Sequence, residues 1–168
     1  MLARRLGIGT ILTFALAGGA CAPQVAEQAA APAVDSAGVK AALSDLWSRY
    51  AMADTAGDVA ALLDTVSDSV QLDIRGFPRV MGREAWRGGL EGVLKEVDYT
   101  SMDIAPERTT VSSNELVYEY GAFREGYTTK GKKFLDHGRY ASAVRKDADG
   151  KWRIAYLMAF VDSTATVK

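Results

Sequence analysis

The stretch FLDHGRYASAVRKDADGKWRIAYLMAFV, residues 134–161, decides the fold. Apolar, aromatic and β-branched residues alternate with polar ones on both sides of Asp149-Gly150, a dipeptide whose residues both tolerate positive φ. The pattern predicts two antiparallel strands, 134–146 and 152–161, joined by a hairpin. Upstream, 116–125 reads as a third strand, and 99–104, extendable to Val111, as a fourth. Ser112-Ser113-Asn114 and the segment 126–131 are the turns between them.

Further toward the N-terminus the apolar period changes. Val39, Leu43, Leu46, Trp47, Tyr50 and Ala53 recur at three- and four-residue steps, the mark of a helix with one buried face, and Gly57 closes it. Asp58 is placed to cap a second helix carrying Val59, Leu62, Leu63 and Val66. Residues 70–74 alternate as a strand that Gly76-Phe77-Pro78 breaks. A third helix, 83–95, carries Trp86, Leu90, Val93 and Leu94 as its stripe. Its glycines Gly88, Gly89 and Gly92 each cost about 1 kcal/mol against alanine, so they are read as places of close packing. Helices come first and a meandering antiparallel sheet follows. That order predicts α+β architecture and excludes a βαβ nucleotide-binding sheet.

Composition bounds the chemistry. The chain has 168 residues, a formal net charge of −1, one cysteine and one histidine. A single cysteine permits no internal disulfide, and with His137 alone no multi-histidine or cysteine-based zinc site can form. The charge gives no footprint for nucleic acid. No metal and no cofactor are implied.

Cys21 has an address instead. Arg4 and Arg5 precede an apolar run from Leu6 to Ala17, too short to span a membrane, and Gly18-Gly19-Ala20 follows. Ala20-Cys21 resembles the lipobox of bacterial lipoproteins, although an aliphatic residue is usual where Gly18 stands. The resemblance implies cleavage before Cys21 and acylation of its thiol. Ala22 after the cysteine implies an outer-membrane protein facing the periplasm, with plain secretion to the periplasm as the alternative. Residues 1–20 are thus a signal peptide, 21–38 the lipidated cysteine and an Ala/Pro-rich tether, and 39–168 the domain.

The domain resembles the SnoaL-like and domain-of-unknown-function-4440 branch of the nuclear transport factor 2-like superfamily. The likeness rests on Trp47 and Ala51, Gly57-Asp58, Asp68, Gly82-Arg83-Glu84-Ala85, Glu119-x-Gly121, Asp136-x-Gly138-x-Tyr140 and Asp149-Gly150-Lys151-Trp152-Arg153-Ile154, in that order. It implies a cone: a curved sheet wrapped over three helices, with a pocket at the open end and, in many relatives, a dimer.

A two-residue turn at Asp149-Gly150 pairs Val144 with Ala155, Ser142 with Leu157 and Tyr140 with Ala159. Setting Gly121 opposite Gly138 places Glu119 opposite Tyr140 and Phe123 opposite Asp136. One face then carries Glu119, Phe123, Asp136, Tyr140, Ser142 and Leu157, and is read as the pocket wall with Trp47, Tyr50, Trp86 and Leu90 from the helices. The other carries Tyr118, Tyr120, His137, Arg139, Trp152, Ile154, Tyr156, Met158 and Phe160, and is read as the contact face of a homodimer.

Glu119 is the first candidate for a general base, with Tyr50 or Tyr140 as a donor to an oxyanion. The bland alternative is a carboxylate whose hydrogen bonds fix the sheet. His137 lies on the outward face, where a lone histidine is usually exposed or structural. Many relatives carry a polar or acidic residue where this chain has Leu157, which weighs against a two-carboxylate mechanism. The segment 126–133 only imitates a phosphate loop, because Lys133 stands where Ser or Thr is required. The expectation is a lipid-anchored domain that binds a small, largely apolar ligand. The alternatives are an isomerase, dehydratase or cyclase using Glu119, and an interaction scaffold with a vestigial pocket.

Overall fold

A computed structural model describes residues 33–167. The expected signal segment, Cys21 and the expected tether up to residue 32 lie outside the described residues. The domain is built from α1 (Ser36–Thr55), α2 (Val59–Asp64), β1 (Val66–Ile74), β2 (Val80–Met81), α3 (Arg83–Val93), β3 (Val97–Val111), β4 (Leu116–Thr129), β5 (Lys132–Lys146) and β6 (Trp152–Val167). α1 starts three residues before the predicted Val39, because the Asp35 side chain accepts from Gly38 N and caps it there. Asp58 caps α2 as expected, accepting from Ala61 N at 3.0 Å.

The six strands form one sheet in the order β2-β1-β6-β5-β4-β3. β3 to β6 are the antiparallel meander, but β1 runs parallel to β6, a pairing the sequence pattern did not announce. β3 is an edge strand, which is why Pro106 is tolerated beside the bulge between Pro106 and Arg108.

Two registers differ from expectation, with opposite consequences. Between β4 and β5 the turn is Lys130-Gly131, both at positive φ, which sets Glu119 opposite Ser142, Gly121 opposite Tyr140 and Phe123 opposite Gly138. The predicted pairing was displaced by two residues, an even number, so every side chain keeps its face. Between β5 and β6 the turn is wider than predicted. Asp147 N donates to Lys151 O at 2.9 Å and Gly150 N to Asp147 O at 2.9 Å, so Val144 faces Ile154. A bulge at Ala155 then restores Ser142 opposite Leu157 and Tyr140 opposite Ala159. Trp152 and Ile154, assigned to the outer face, are therefore buried in the core, and Ala155 is the residue displaced.

The core gathers at the hairpin end of the sheet. Leu43, Leu46, Leu62, Val66, Val70, Leu72, Val117, Val144 and Ile154 are all almost fully buried there and between the helices and the concave sheet face. Toward the other end the strands continue past this packing, and the space between α1, α3 and the sheet is open.

Candidate ligand-binding site

The open end holds a cavity of about 770 Å³. Trp47, Tyr50, Trp86, Leu90, Phe123, Asp136, Tyr140 and Leu157, all assigned to a pocket from sequence, line it. Glu119 and Ser142 do not. The aromatic wall is continuous: Tyr140 meets Trp47 edge-on at 5.3 Å, Trp47 meets Tyr50 at 6.0 Å, and Tyr50 stacks on Trp86 at 6.4 Å with the rings 8° apart.

Glu119 is 4% exposed and surrounded by donors. Its Oε1 accepts from Trp47 Nε1 at 2.6 Å and from Tyr140 Oη at 2.9 Å, and its Oε2 from Thr109 Oγ1 at 2.7 Å. Three charge-assisted bonds turn the carboxylate away from the large cavity and toward a smaller cleft of about 360 Å³ between α1 and β3. They tie α1, β3, β4 and β5 together. Ser142 Oγ points at the Glu119 carbonyl, 3.5 Å away, and serves the same junction. Burial and the neighbouring carboxylate push the Tyr140 hydroxyl well above its ordinary pKa, so it acts as a donor held on Glu119.

The three helix glycines do not serve close packing. An added Cβ at Gly88, Gly89 or Gly92 would meet nothing within 4 Å, and all three line the cavity, so their missing side chains leave room in it. Close approach occurs on the sheet instead. A Cβ on Gly138 would strike the Phe123 ring, its cross-strand partner.

Sequence reasoning missed the groups that matter most for chemistry. Asp54, in the last turn of α1, and Glu125, on β4, both line the cavity. Burial pushes the Asp54 carboxyl up to about 6. Burial, then the charges of Asp54 and Asp136, push Glu125 up to about 8. Asp54 is 5% and Asp136 7% exposed, and Asp54 Oδ2 and Asp136 Oδ1 have no hydrogen-bond partner among the described residues. Burial and the surrounding carboxylates raise Tyr50 and Tyr99 as well, leaving both as neutral donors. The signal available in sequence was that Asp54 lies four residues after Tyr50 on the same helix face. Among the described residues no cluster of His, Cys, Asp and Glu has the geometry to hold a metal ion.

On the outer face, Tyr118, Tyr120 and Phe160 are exposed, His137 faces outward, and Arg139 makes a bidentate pair with Asp162 at 2.8 and 2.7 Å.

A six-stranded curved sheet closed by three helices, with a cavity at its open end, is the cone of the nuclear transport factor 2-like fold. The chain belongs to the SnoaL-like domain family, whose profile matches residues 36–158. Solved structures agree on the fold. A ketosteroid isomerase-like protein from Erwinia carotovora atroseptica SCRI1043 is 20% identical, with a TM-score of 0.66 over 73% of this chain and 95% of that one. The hexachlorocyclohexane dehydrochlorinase LinA-type3 from Novosphingobium barchaimii LL02 is 17% identical, with a TM-score of 0.68 over 78% of this chain and 91% of that one. A conserved protein from Planctomyces limnophilus DSM 3776 is 16% identical, with a TM-score of 0.64 over 78% and 99%. No curated protein matches the sequence.

Proposed function

We propose that this chain is an exported, lipid-anchored protein whose domain binds a small, largely apolar molecule in the 770 Å³ cavity. The observation that carries the reading is the cavity itself. Its volume falls in the range of small-molecule sites, its wall is largely aromatic and aliphatic, and a few acids and tyrosines interrupt that wall. Mass spectrometry of small molecules released on denaturing the purified chain tests it. A bound organic molecule in near-stoichiometric amount is expected, and adding it back should quench Trp47 and Trp86 emission. If nothing is released and no apolar ring compound raises the melting temperature, the scaffold reading takes over.

A second reading, proton transfer on the bound molecule, is favoured by one observation: Asp54 is buried in the cavity with a free oxygen and a pKa of about 6, close to that of a working general base. Names among the structural neighbours, ketosteroid isomerase-like protein and dehydrochlorinase, are in keeping with it. Asp54→Asn should then abolish turnover with the fold intact. Loss of turnover in Glu119→Gln but not in Asp54→Asn would return the role to Glu119.

The anchor reading rests on Cys21 after its short apolar run, and Cys21→Ser should release the protein from the membrane fraction. The exposed Tyr118, Tyr120 and Phe160 support a homodimer through the outer sheet face, although the loss of Trp152 and Ile154 to the core makes that patch smaller than the sequence suggested. A monomeric mass by light scattering at micromolar concentration would remove it.

A further inference from the structure

The cavity holds its acids in an arrangement that an empty or neutral-ligand pocket does not explain. Glu125 and Asp136 are directly opposed cross-strand partners on β4 and β5, a position where like charges repel. Asp54 faces the same space from the last turn of α1, the helix end that disfavours an anion. Two of these side chains are more than nine-tenths buried and each keeps an oxygen without a partner. None of the three takes part in an ion pair among the described residues. The cavity lining adds a fourth acid, Glu96, and a single cation, Arg75, which is exposed and whose charge acts on Asp162.

We propose that the molecule bound here is a cation: an organic amine whose ammonium group sits among Asp54, Glu125 and Asp136, and whose apolar body lies along Trp86, Leu90 and Leu72. This rests on reading the cavity as a ligand site, and specifies the chemistry of the ligand. An ammonium ion supplies N–H donors to the two free carboxylate oxygens and lets both opposed acids carry their charge at once. Tyr50, Tyr99 and Tyr127 line the same cavity, and aromatic rings of this kind attract a positive charge. A metal ion fits less well, because the acids do not converge into a coordinating group and most of the wall is apolar.

The site's proton balance gives a second consequence. Glu125 is largely protonated at neutral pH in the free protein, so a cation arriving beside it should expel that proton. The other titratable or charged groups facing the acids are Tyr50 on α1, Tyr99 on β3 and Tyr127 on β4, with Arg75 and Glu96 also lining the cavity. The tyrosines stay neutral throughout, because burial raises all three.

Three probes of one shape test this on the full chain: 2-phenylethylamine, which is a cation at pH 7, its neutral isostere propylbenzene, and the 3-phenylpropionate anion. Calorimetric titration is expected to give the amine an affinity at least about tenfold above propylbenzene and the anion the weakest binding. Repeating it in buffers of different ionisation enthalpy should show proton release with the amine alone. Asp136→Asn and Glu125→Gln should each reduce the amine's advantage while leaving propylbenzene unchanged, and Glu125→Gln should abolish the proton release. Equal binding of amine and propylbenzene overturns the cation assignment and leaves the apolar site standing. Binding of none of the three overturns both.

Discussion

Two groups of acids at opposite ends of the sheet are treated in opposite ways. At the hairpin end, Arg153 is buried, its side chain 7% exposed, and donates to Asp64, Asp147 and Asp149. Its Nε reaches the Asp64 carbonyl at 3.0 Å, while Lys151 also holds Asp64 and Arg145 holds Asp147. Hydrogen bonds from Arg153 and from the Lys151 backbone keep the Asp149 carboxyl below its ordinary range. At the cavity, eight residues and so roughly 26 Å of strand further along β4 from Val117, Asp54, Glu125 and Asp136 line one space with no ion pair among the described residues, and two are pushed up. The fold supplies positive charge to one group and withholds it from the other. Acids gathered for structure come with their partners, and acids left without them are free to meet something from outside.

The contrast breaks most sharply at Arg153. Arg153→Met keeps the stem's packing but removes the Asp64 carbonyl's side-chain donor and the donor that Asp64, Asp147 and Asp149 share. It should destabilise the domain by about 3 kcal/mol, below the full cost of a severed buried network because Asp64 and Asp149 are half solvated. Urea denaturation at pH 7 checks it. A change near zero would mean that the cluster is an ornament of the surface and that the two ends do not differ in kind.

The pH profile of stability separates the groups by sign. Glu125 has a folded pKa of about 8, above its unfolded value near 4.5, so the folded state is favoured by its proton. That contribution is complete below pH 4.5 and is lost as pH rises through 8. The lowered carboxyls Asp64 and Asp149 act in reverse, their contribution being present above the ordinary value near 3.8 and lost as pH falls below it. Stability should therefore peak between about pH 4 and 5 and decline toward 8. Glu125→Gln should remove the larger part of the alkaline decline, on the order of 4 kcal/mol at pH 8, and leave the acid limb and the smaller share that Asp54, raised to about 6, loses between about pH 4 and 6. A decline between about pH 6 and 8 that survives this substitution would place the unfavourable charge elsewhere.

How far this contrast was legible in the sequence depends on what each part of it needs. Element order, the two faces of β4 and β5 and most of the cavity wall follow from periodicity, which any solution of the fold must respect. Trp152 and Ile154 went to the wrong face because a wider turn and a bulge at Ala155 cancel each other further along, and neither has a composition signal of its own. Asp54 and Glu125 were passed over for a different reason. A buried acid without a partner contradicts the patterns that sequence reading relies on, and only the three-dimensional meeting of α1, β4 and β5 shows that these acids make no ion pair among the described residues. Glu119 was singled out because its position in the strand is buried. What could not be read was that Trp47, Thr109 and Tyr140, from three other elements, would all donate to it.

The smallest predicted effect bears on whether the cavity end is kept open at a cost, as the hairpin end is kept paired. Gly89 lies in the middle of α3, where glycine is less favourable than alanine by up to about 1 kcal/mol, and a methyl group there would touch nothing within 4 Å. If the glycine were needed for packing, Gly89→Ala would be destabilising. The open space predicts the reverse: a gain of roughly 0.5–1 kcal/mol in urea denaturation, together with weaker binding of any ligand that reaches the α3 wall. Stability gained while affinity is lost would show that the missing side chain serves the ligand and not the fold. The uncompensated acids that line the same cavity make the same trade, because there too the domain forgoes stability at the cavity wall.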